Sequence, residues 1–444
     1  MKDVKVQSFL KYLSSNSNLR RLTTNFDNIR APIHRWFPFL VGFSHNLVKE
    51  TIRFFNNNGK DFLVFDPFIG SGTTAVVGKE IGVNVIGNEI NRFLLDICRI
   101  KISVDGKLKK DLIREGKKLI NEVSRKWEDV SLSDEHKILI KCFPENNLKK
   151  LVALREHIRN SDLDERTKGY FFIALTRSLN KSAKVGLNVP YISWSHKRKP
   201  EDSFTVFLQN VKLIVEDLKL FSNIAKNSSE VKVYLHDSRK KNRKIEKSSI
   251  DMVFTSPPYL NNFDYGESLK VFLYFWKYVK DWSEITSKIR RVSVASATTY
   301  YNEKKLINKS PEKILGKDFM NTIPSIAEEI ISKAEQIRIE KNKRKFASKK
   351  SFELLTLLYF KDMFSVLKEL LRVLKENSLS FIVIGDSAPY GVHIKTDVLL
   401  GEIAIGIGFS SYTVQPLRER GIKWRNLKYR HKLRLRESLL ILRR

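Results

Sequence analysis

Two short segments hold residue types that can do chemistry. The first is Asp66-Pro67-Phe68-Ile69-Gly70-Ser71-Gly72-Thr73-Thr74, which follows the apolar run Phe62–Phe65. Gly70 and Gly72 lack Cβ atoms, so the chain can turn sharply and a ligand can lie against its backbone. A helix opening at Thr73 would add unpaired amide groups and the positive end of its dipole. Nucleotide-like ligands sit at such turns in doubly wound folds. No Gly-Lys-Ser/Thr closes the turn, so it is not a Walker A loop, and the third glycine of the dinucleotide fingerprint is missing. Glu89 ends the next apolar run, in Gly87-Asn88-Glu89. An acid there, ~20 residues beyond a glycine turn, can accept both hydroxyl protons of a ribose. The second segment is Thr255-Ser256-Pro257-Pro258-Tyr259, after Met252-Val253-Phe254. Two prolines cannot continue a central strand, so the chain must leave the sheet in a stiff turn. The Ser256 hydroxyl, the Pro257 carbonyl and the flat Tyr259 ring together suit a planar base that carries an exocyclic amine.

The elements around these segments have the rhythm of a parallel sheet with covering helices. Ser44 reads as the N-cap of an amphipathic helix. Strands are expected at DFLVFDP, VNVIGNEI, VKVYLHDS, IDMVFTSPPY and SLSFIVIGD, with two closing strands at SYTVQPLRER and ESLLILRR. Helices are expected after the glycine turn and at NRFLLDICRIKI, SLKVFLYFWKYV, FELLTLLYFKDMFSVLKELLRVL and VLLGEIAIGIG. Residues 1–30 read as a polar N-terminal arm. Residues 31–104 and 231–444 read as one αβ core. Residues 105–230 read as a helical insertion far longer than an ordinary crossover, and 285–350 as a second, basic one.

The chain has 444 residues and 81 Lys and Arg against 49 Asp and Glu, a formal net charge of +32. Such an excess attracts polyanions, nucleic acid above all. No apolar run approaches the ~20 residues that span a bilayer, and the N-terminus lacks the apolar centre of a signal peptide, so a cytoplasmic protein is expected. Cys98 and Cys142 form no CxxC pair, so no metal site or disulfide is expected. His236 reads as structural, and Trp36, Phe37 and Phe39 as a hydrophobic cover. Lys341 to Lys345 could track phosphates or form a solvated turn.

DPFIGSGTT combined with TSPPY resembles the amino-group DNA methyltransferases, with a match extending over about residues 31–100 and from 231 to the end. The resemblance implies an α/β, doubly wound, mostly parallel seven-stranded Rossmann-like sheet with two helical insertions. It implies S-adenosyl-L-methionine as cofactor and double-stranded DNA as substrate. Asp66, Pro67, Phe68, Gly70, Gly72 and Thr73 would surround the cofactor's methionine end. Glu89 would hold the ribose and Asp237 would lie near the adenine, while Phe43 and Ser44 belong to a further cofactor-side motif. Ser256, Pro257, Pro258 and Tyr259 would form the catalytic turn. Serine in the first place of that turn is commoner among cytosine-N4 members, and Asp or Asn among adenine-N6 members. Cytosine N4 is therefore the expected target and adenine N6 the alternative. The glycine turn precedes SPPY, the reverse of a large subclass. No Pro-Cys dipeptide occurs, which argues against cytosine-C5 chemistry. An RNA exocyclic-amine methyltransferase would usually carry an RNA-binding module, and none is recognisable. A non-catalytic nucleic-acid binder has no reason to keep the glycines, Glu89 and SPPY. The first insertion is the candidate sequence reader, with the second insertion competing for that role, and a cognate restriction endonuclease is a candidate partner.

Overall fold

The computed structural model describes residues 4–15, 26–37, 42–56, 59–104, 111–187, 191–222, 229–344, 350–421 and 432–444. Its centre is a seven-stranded sheet built from β1 (Leu63–Asp66), β2 (Asn84–Glu89), β5 (Val231–Leu235), β6 (Ile250–Thr255), β7 (Leu374–Gly385), β8 (Ser411–Arg420) and β9 (Leu435–Arg443). The strand order is β5-β2-β1-β6-β7-β9-β8. Strands β5, β2, β1, β6 and β7 run parallel, and β9 is antiparallel to both of its neighbours. The chain moves outward from β1 through β2 to β5, then returns to the other side of β1 as β6. That reversal puts a switch point between β1 and β6, where a crevice opens at the carboxyl ends of the strands.

Side-chain alternation assigns the two faces of the sheet. Val64, Met252, Phe254, Phe381, Val383, Leu439 and Ile441 face a core shared with helices Val4–Ser15, His45–Phe55 and Thr73–Ile81. Phe65, Val253, Ile382, Ile384, Leu440 and Leu442 face a second core with helices Pro324–Lys343, Phe352–Val373 and Thr396–Ile407. The N-terminal arm is therefore in part a packed helix, with Val6, Phe9, Leu10 and Leu13 buried. Within it, residues 1–3 and 16–25 lie outside the described residues, as do Phe39 of the hydrophobic cover and Lys345 of the basic run. Trp36 and Phe37 are buried, Lys341 pairs with Glu353 and Lys343 with Glu340.

A third core holds the helices Leu112–Ser124, Glu145–Asn160, Glu165–Ser182 and Ser203–Ser222, packed against Tyr265–Phe275 and Arg92–Ile102. One buried carboxylate, Asp217, ties this bundle to the segment before the glycine turn. It accepts from the Ile33 amide at 3.0 Å, from Arg35 Nε at 2.9 Å and from Trp36 Nε1 at 2.9 Å. Removing it leaves a buried indole N–H and amide unpaired, a cost of about 2 kcal/mol. Asp217→Ala is expected to lower the midpoint of chemical denaturation accordingly. The bundle also contains an unexpected two-stranded hairpin, β3 (Val185–Gly186) with β4 (Ser193–Lys197), whose register shifts at Val185/Gly186.

Candidate active site

The tips of β1, β2, β5 and β6 surround a cavity of about 900 Å³. The chain supports it from below with polar ties between the tips. Asp66 is fully buried; it accepts from the Phe68 amide at 3.0 Å, the Thr255 hydroxyl at 2.7 Å and the Thr74 hydroxyl at 2.6 Å. One carboxylate thus holds the end of β1, the residue before Ser256 and the start of the helix Thr73–Ile81. Burial pushes Asp66 up to about 6, against the pull of those three donors. Ser238 donates to the Pro67 carbonyl at 2.6 Å, and Asn242 donates to Asn88 at 3.0 Å, which fixes the β5 turn against the other two tips. At Gly72 the backbone is left-handed (φ 95°), and a Cβ there would press on Cys98 of the neighbouring helix, so glycine is required at that approach.

Phe43, Pro67, Phe68, Gly70, Thr73, Glu89, Asp237, Ser256 and Pro258 all line the cavity. The glycine turn and the proline turn therefore open onto one space. Ser44, Asp66, Gly72, Pro257 and Tyr259 do not line it. Ser44 caps the helix His45–Phe55 by accepting from the Asn46 amide at 3.2 Å, and Asp66 and Gly72 shape the turn from beneath. His236 does line the cavity; its ring meets the Lys240 carbonyl at 3.0 Å, in a local turn.

Glu89 Oε2 accepts from the Gly70 amide at 3.0 Å and Oε1 from the Asn91 amide at 2.7 Å. Each oxygen keeps a further lone pair for a ligand hydroxyl. Burial pushes this carboxyl up to about 7. Asp237 is held in the opposite direction, below the usual carboxylate range: Arg239 grips it through two bonds of 2.9 Å that outweigh its burial. Arg239 also donates to the Val292 carbonyl at 2.8 Å and pairs with Asp362 at 3.2 Å. Ile289, Val292, Ser293 and Val294 form a cavity wall, so the start of the second insertion belongs to the site.

The proline turn sits in a polar assembly of its own. The Tyr259 hydroxyl donates to buried Glu437 at 3.2 Å. Arg418 pairs with Glu437 at 2.8 Å, and the Arg420 guanidinium lies 4.8 Å from the centre of the Tyr259 ring. Burial and the nearby Glu437 hold the Tyr259 hydroxyl well above its ordinary value, so it stays protonated. A Cβ on Gly385, at the tip of β7, would strike both Arg420 and Tyr259.

Comparison with known proteins agrees with this geometry. The family described as DNA methylase matches residues 20–99, a stretch that contains the glycine turn and Glu89. The Type II methyltransferase M.BsoBI of Geobacillus stearothermophilus is 24% identical over 447 residues, covering 90% of this chain and 83% of that protein. The Type II methyltransferase M.AvaI of Nostoc sp. is 23% identical, covering 91% and 85%. These matches run through the proline turn as well as the glycine turn. The chain is thus similar to DNA methylases at its glycine turn and to Type II methyltransferases over most of its length. Arg239, Arg420, Gly385 and Glu437 are the structure's additions to the residues expected from sequence. Among the described residues, no helix is long and apolar enough to cross a membrane.

Gly385 gives a test of the proline turn that leaves the cofactor side alone. Gly385→Ala is expected to displace Tyr259 and Arg420 and to lower kcat about tenfold, since small misplacements of reacting groups are costly. The dissociation constant for the cofactor, measured by calorimetry, is expected to stay within about twofold on the same reasoning.

Proposed function

We propose that this chain transfers a methyl group from S-adenosyl-L-methionine to the exocyclic amine of a base in double-stranded DNA, with cytosine N4 as the target. The observation that carries the reading is the single cavity bordered by Gly70, Glu89 and Asp237 on one side and by Ser256 and Pro258 on the other. The cofactor fits the donors present. Glu89 can accept from both ribose hydroxyls, Phe68 to Gly70 line the cavity beside it, and Asp237 can accept from an adenine amine.

When bound, the cofactor supplies an electrophilic methyl on a sulfonium centre. The base must leave the duplex stack, because its amine is otherwise out of reach. The Ser256 hydroxyl borders the cavity and has lone pairs that can accept from the amine. The Pro257 carbonyl, the second acceptor expected from sequence, does not line the cavity, so Ser256 is the acceptor on which this reading rests. Held this way, the amine nitrogen faces the methyl carbon, and transfer is direct, with no covalent enzyme intermediate. The N–C bond forms as the S–C bond breaks, and the extra amine proton leaves afterwards. Positioning and preset acceptors supply the rate gain. A cognate restriction endonuclease is the partner that this reading expects.

The target is tested by incubating unmethylated plasmid duplex with methyl-labelled cofactor and identifying the labelled nucleoside by mass. N4-methylcytosine is the expected product. N6-methyladenine would reassign the target base, and no labelled nucleoside at all would refute the transfer.

A further inference from the structure

A base taken out of the duplex loses its stacking neighbours, and the pocket that receives it must offer an aromatic or apolar face in exchange. Tyr259, the ring that the proline turn itself carries, does not line the cavity. The Arg420 guanidinium lies 4.8 Å from its centre, and its hydroxyl is engaged by Glu437 at 3.2 Å. Among the described residues, the rings that do line the cavity are Phe43, Phe68, His236 and Tyr265. Phe68 belongs to the glycine turn. Phe43 packs on Phe254 of β6, with ring centres 5.4 Å apart. His236 is held in the local turn after β5. Tyr265 alone comes from the chain that leaves the proline turn, as the first residue of the helix Tyr265–Phe275, and it is only partly buried.

The backbone at Tyr265 is held from several directions. Its amide donates to the Tyr300 hydroxyl at 3.0 Å. Asp264, the residue before it, caps the helix by accepting from the Glu267 amide at 3.1 Å. The same buried carboxylate accepts from Arg290 Nε at 2.9 Å and from the Thr299 hydroxyl at 2.7 Å. Arg290 is buried too, and its guanidinium lies 4.0 Å from the centre of the Trp282 ring. It ends a π-helical turn, Thr286–Arg290, a rare form that occurs mostly at functional sites. On the other side of Tyr265, a Cβ on Gly266 would strike Ile285, so the two segments are in close contact there. Arg290, Thr299, Tyr300 and Ile285 all belong to the start of the second insertion, the segment whose Ile289, Val292 and Val294 wall the cavity.

We propose that Tyr265, and not Tyr259, is the aromatic face on which the flipped base rests, and that the start of the second insertion holds it there. The inference rests on the methyl-transfer reading above and deepens it by naming a second contact for the substrate. Ser256 would meet the amine at the base edge, while Tyr265 meets the ring face. Every base has a π-face, so this contact serves the rate of transfer and leaves the choice between cytosine and adenine to the polar groups.

The test uses the full chain. Tyr265→Leu removes the ring and keeps the backbone ties. It is expected to lower kcat/KM for duplex DNA about tenfold or more, the loss that one base–aromatic stack brings. Tyr265→Phe, which keeps the ring, is expected to recover most of that loss. The cofactor's dissociation constant, measured by calorimetry, is expected to stay at the wild-type value in both. A second measurement needs no variant. The preferred site is located by sequencing plasmid that the unaltered chain has methylated, and a short duplex is made with 5-iodouracil in place of the target base. Irradiated with the unaltered chain and S-adenosylhomocysteine, it is expected to form a crosslink that peptide fragmentation places on Tyr265. A crosslink on Tyr259 or elsewhere, wild-type kcat/KM in Tyr265→Leu, or a cofactor affinity that falls as far as kcat/KM does, overturns the proposal. Failure of the unaltered chain to methylate any duplex would instead overturn the function on which it rests.

Discussion

Ser256→Ala is expected to lower kcat by about 100-fold while the cofactor's dissociation constant changes by less than about threefold, because one preset hydrogen-bond partner of the reacting atom is worth 10²–10³ in turnover. Ser256 borders the same cavity as the cofactor-side residues, but it stands on the proline turn, apart from the glycine turn and Glu89. Losing it should therefore spoil the orientation of the amine and not the seat of the cofactor. Single-turnover transfer to duplex DNA and calorimetry of cofactor binding separate the two effects. Equal loss of both, or full turnover in the variant, would contradict the role given to Ser256. Tyr259→Phe should share the phenotype in weaker form, since the proline turn would lose its hydroxyl tie to Glu437.

The second large effect concerns Glu89. Glu89→Ala is expected to weaken cofactor binding by about 100-fold or more, because two charge-assisted hydrogen bonds of about 1.5 kcal/mol each are lost and the Gly70 and Asn91 amides lose their acceptor. A pH dependence should accompany it. The folded carboxyl titrates near 7 instead of at its ordinary 4.5. A raised carboxyl binds its proton more tightly in the folded chain, so its contribution to the free protein's stability is complete below about 4.5 and is lost as pH rises through about 7. Cofactor binding has the opposite sign, because only the carboxylate can accept from both hydroxyls. Affinity should rise between about pH 6 and 8 and level off above, with Asp66, near 6, titrating in the same direction just below. In Glu89→Ala the rise through pH 7 should disappear. A flat profile in the unaltered chain would contradict the assignment of the ribose to Glu89.

The sheet was largely legible in the sequence for a physical reason. Strands β1, β2 and β6 are buried on both faces, so they read as short apolar runs, and each ends at residues that cannot continue a strand. The glycine and proline turns could be assigned to strand tips on that ground alone, and the Ser44 cap could be read from its place before an amphipathic run. Which way a polar side chain points was not legible. Asp66 stands next to the glycine turn in sequence, yet its carboxylate turns down to Thr74 and Thr255 instead of out to the cavity. Tyr259 was read as a free ring for a base, but Arg420 lies over it. Arg420 and Glu437 come from β8 and β9, more than a hundred residues away from the proline turn in the chain, and only the pairing of β7 with β9 brings them there. No local pattern encodes such a meeting. The hairpin in the first insertion was hidden for a different reason: β3 has two residues and an irregular register, too little for an alternation to declare itself. The start of the second insertion looked like charged surface, while Ile289, Val292 and Val294 face the cavity.

The shared cavity is the claim on which the rest depends, and a crystal structure of the chain with S-adenosylhomocysteine measures it most directly. The account predicts the ribose hydroxyls on the Glu89 carboxylate, the adenine beside Asp237 and the sulfur directed across the cavity toward Ser256. A product molecule seated elsewhere, or a sulfur walled off from Ser256, would contradict it.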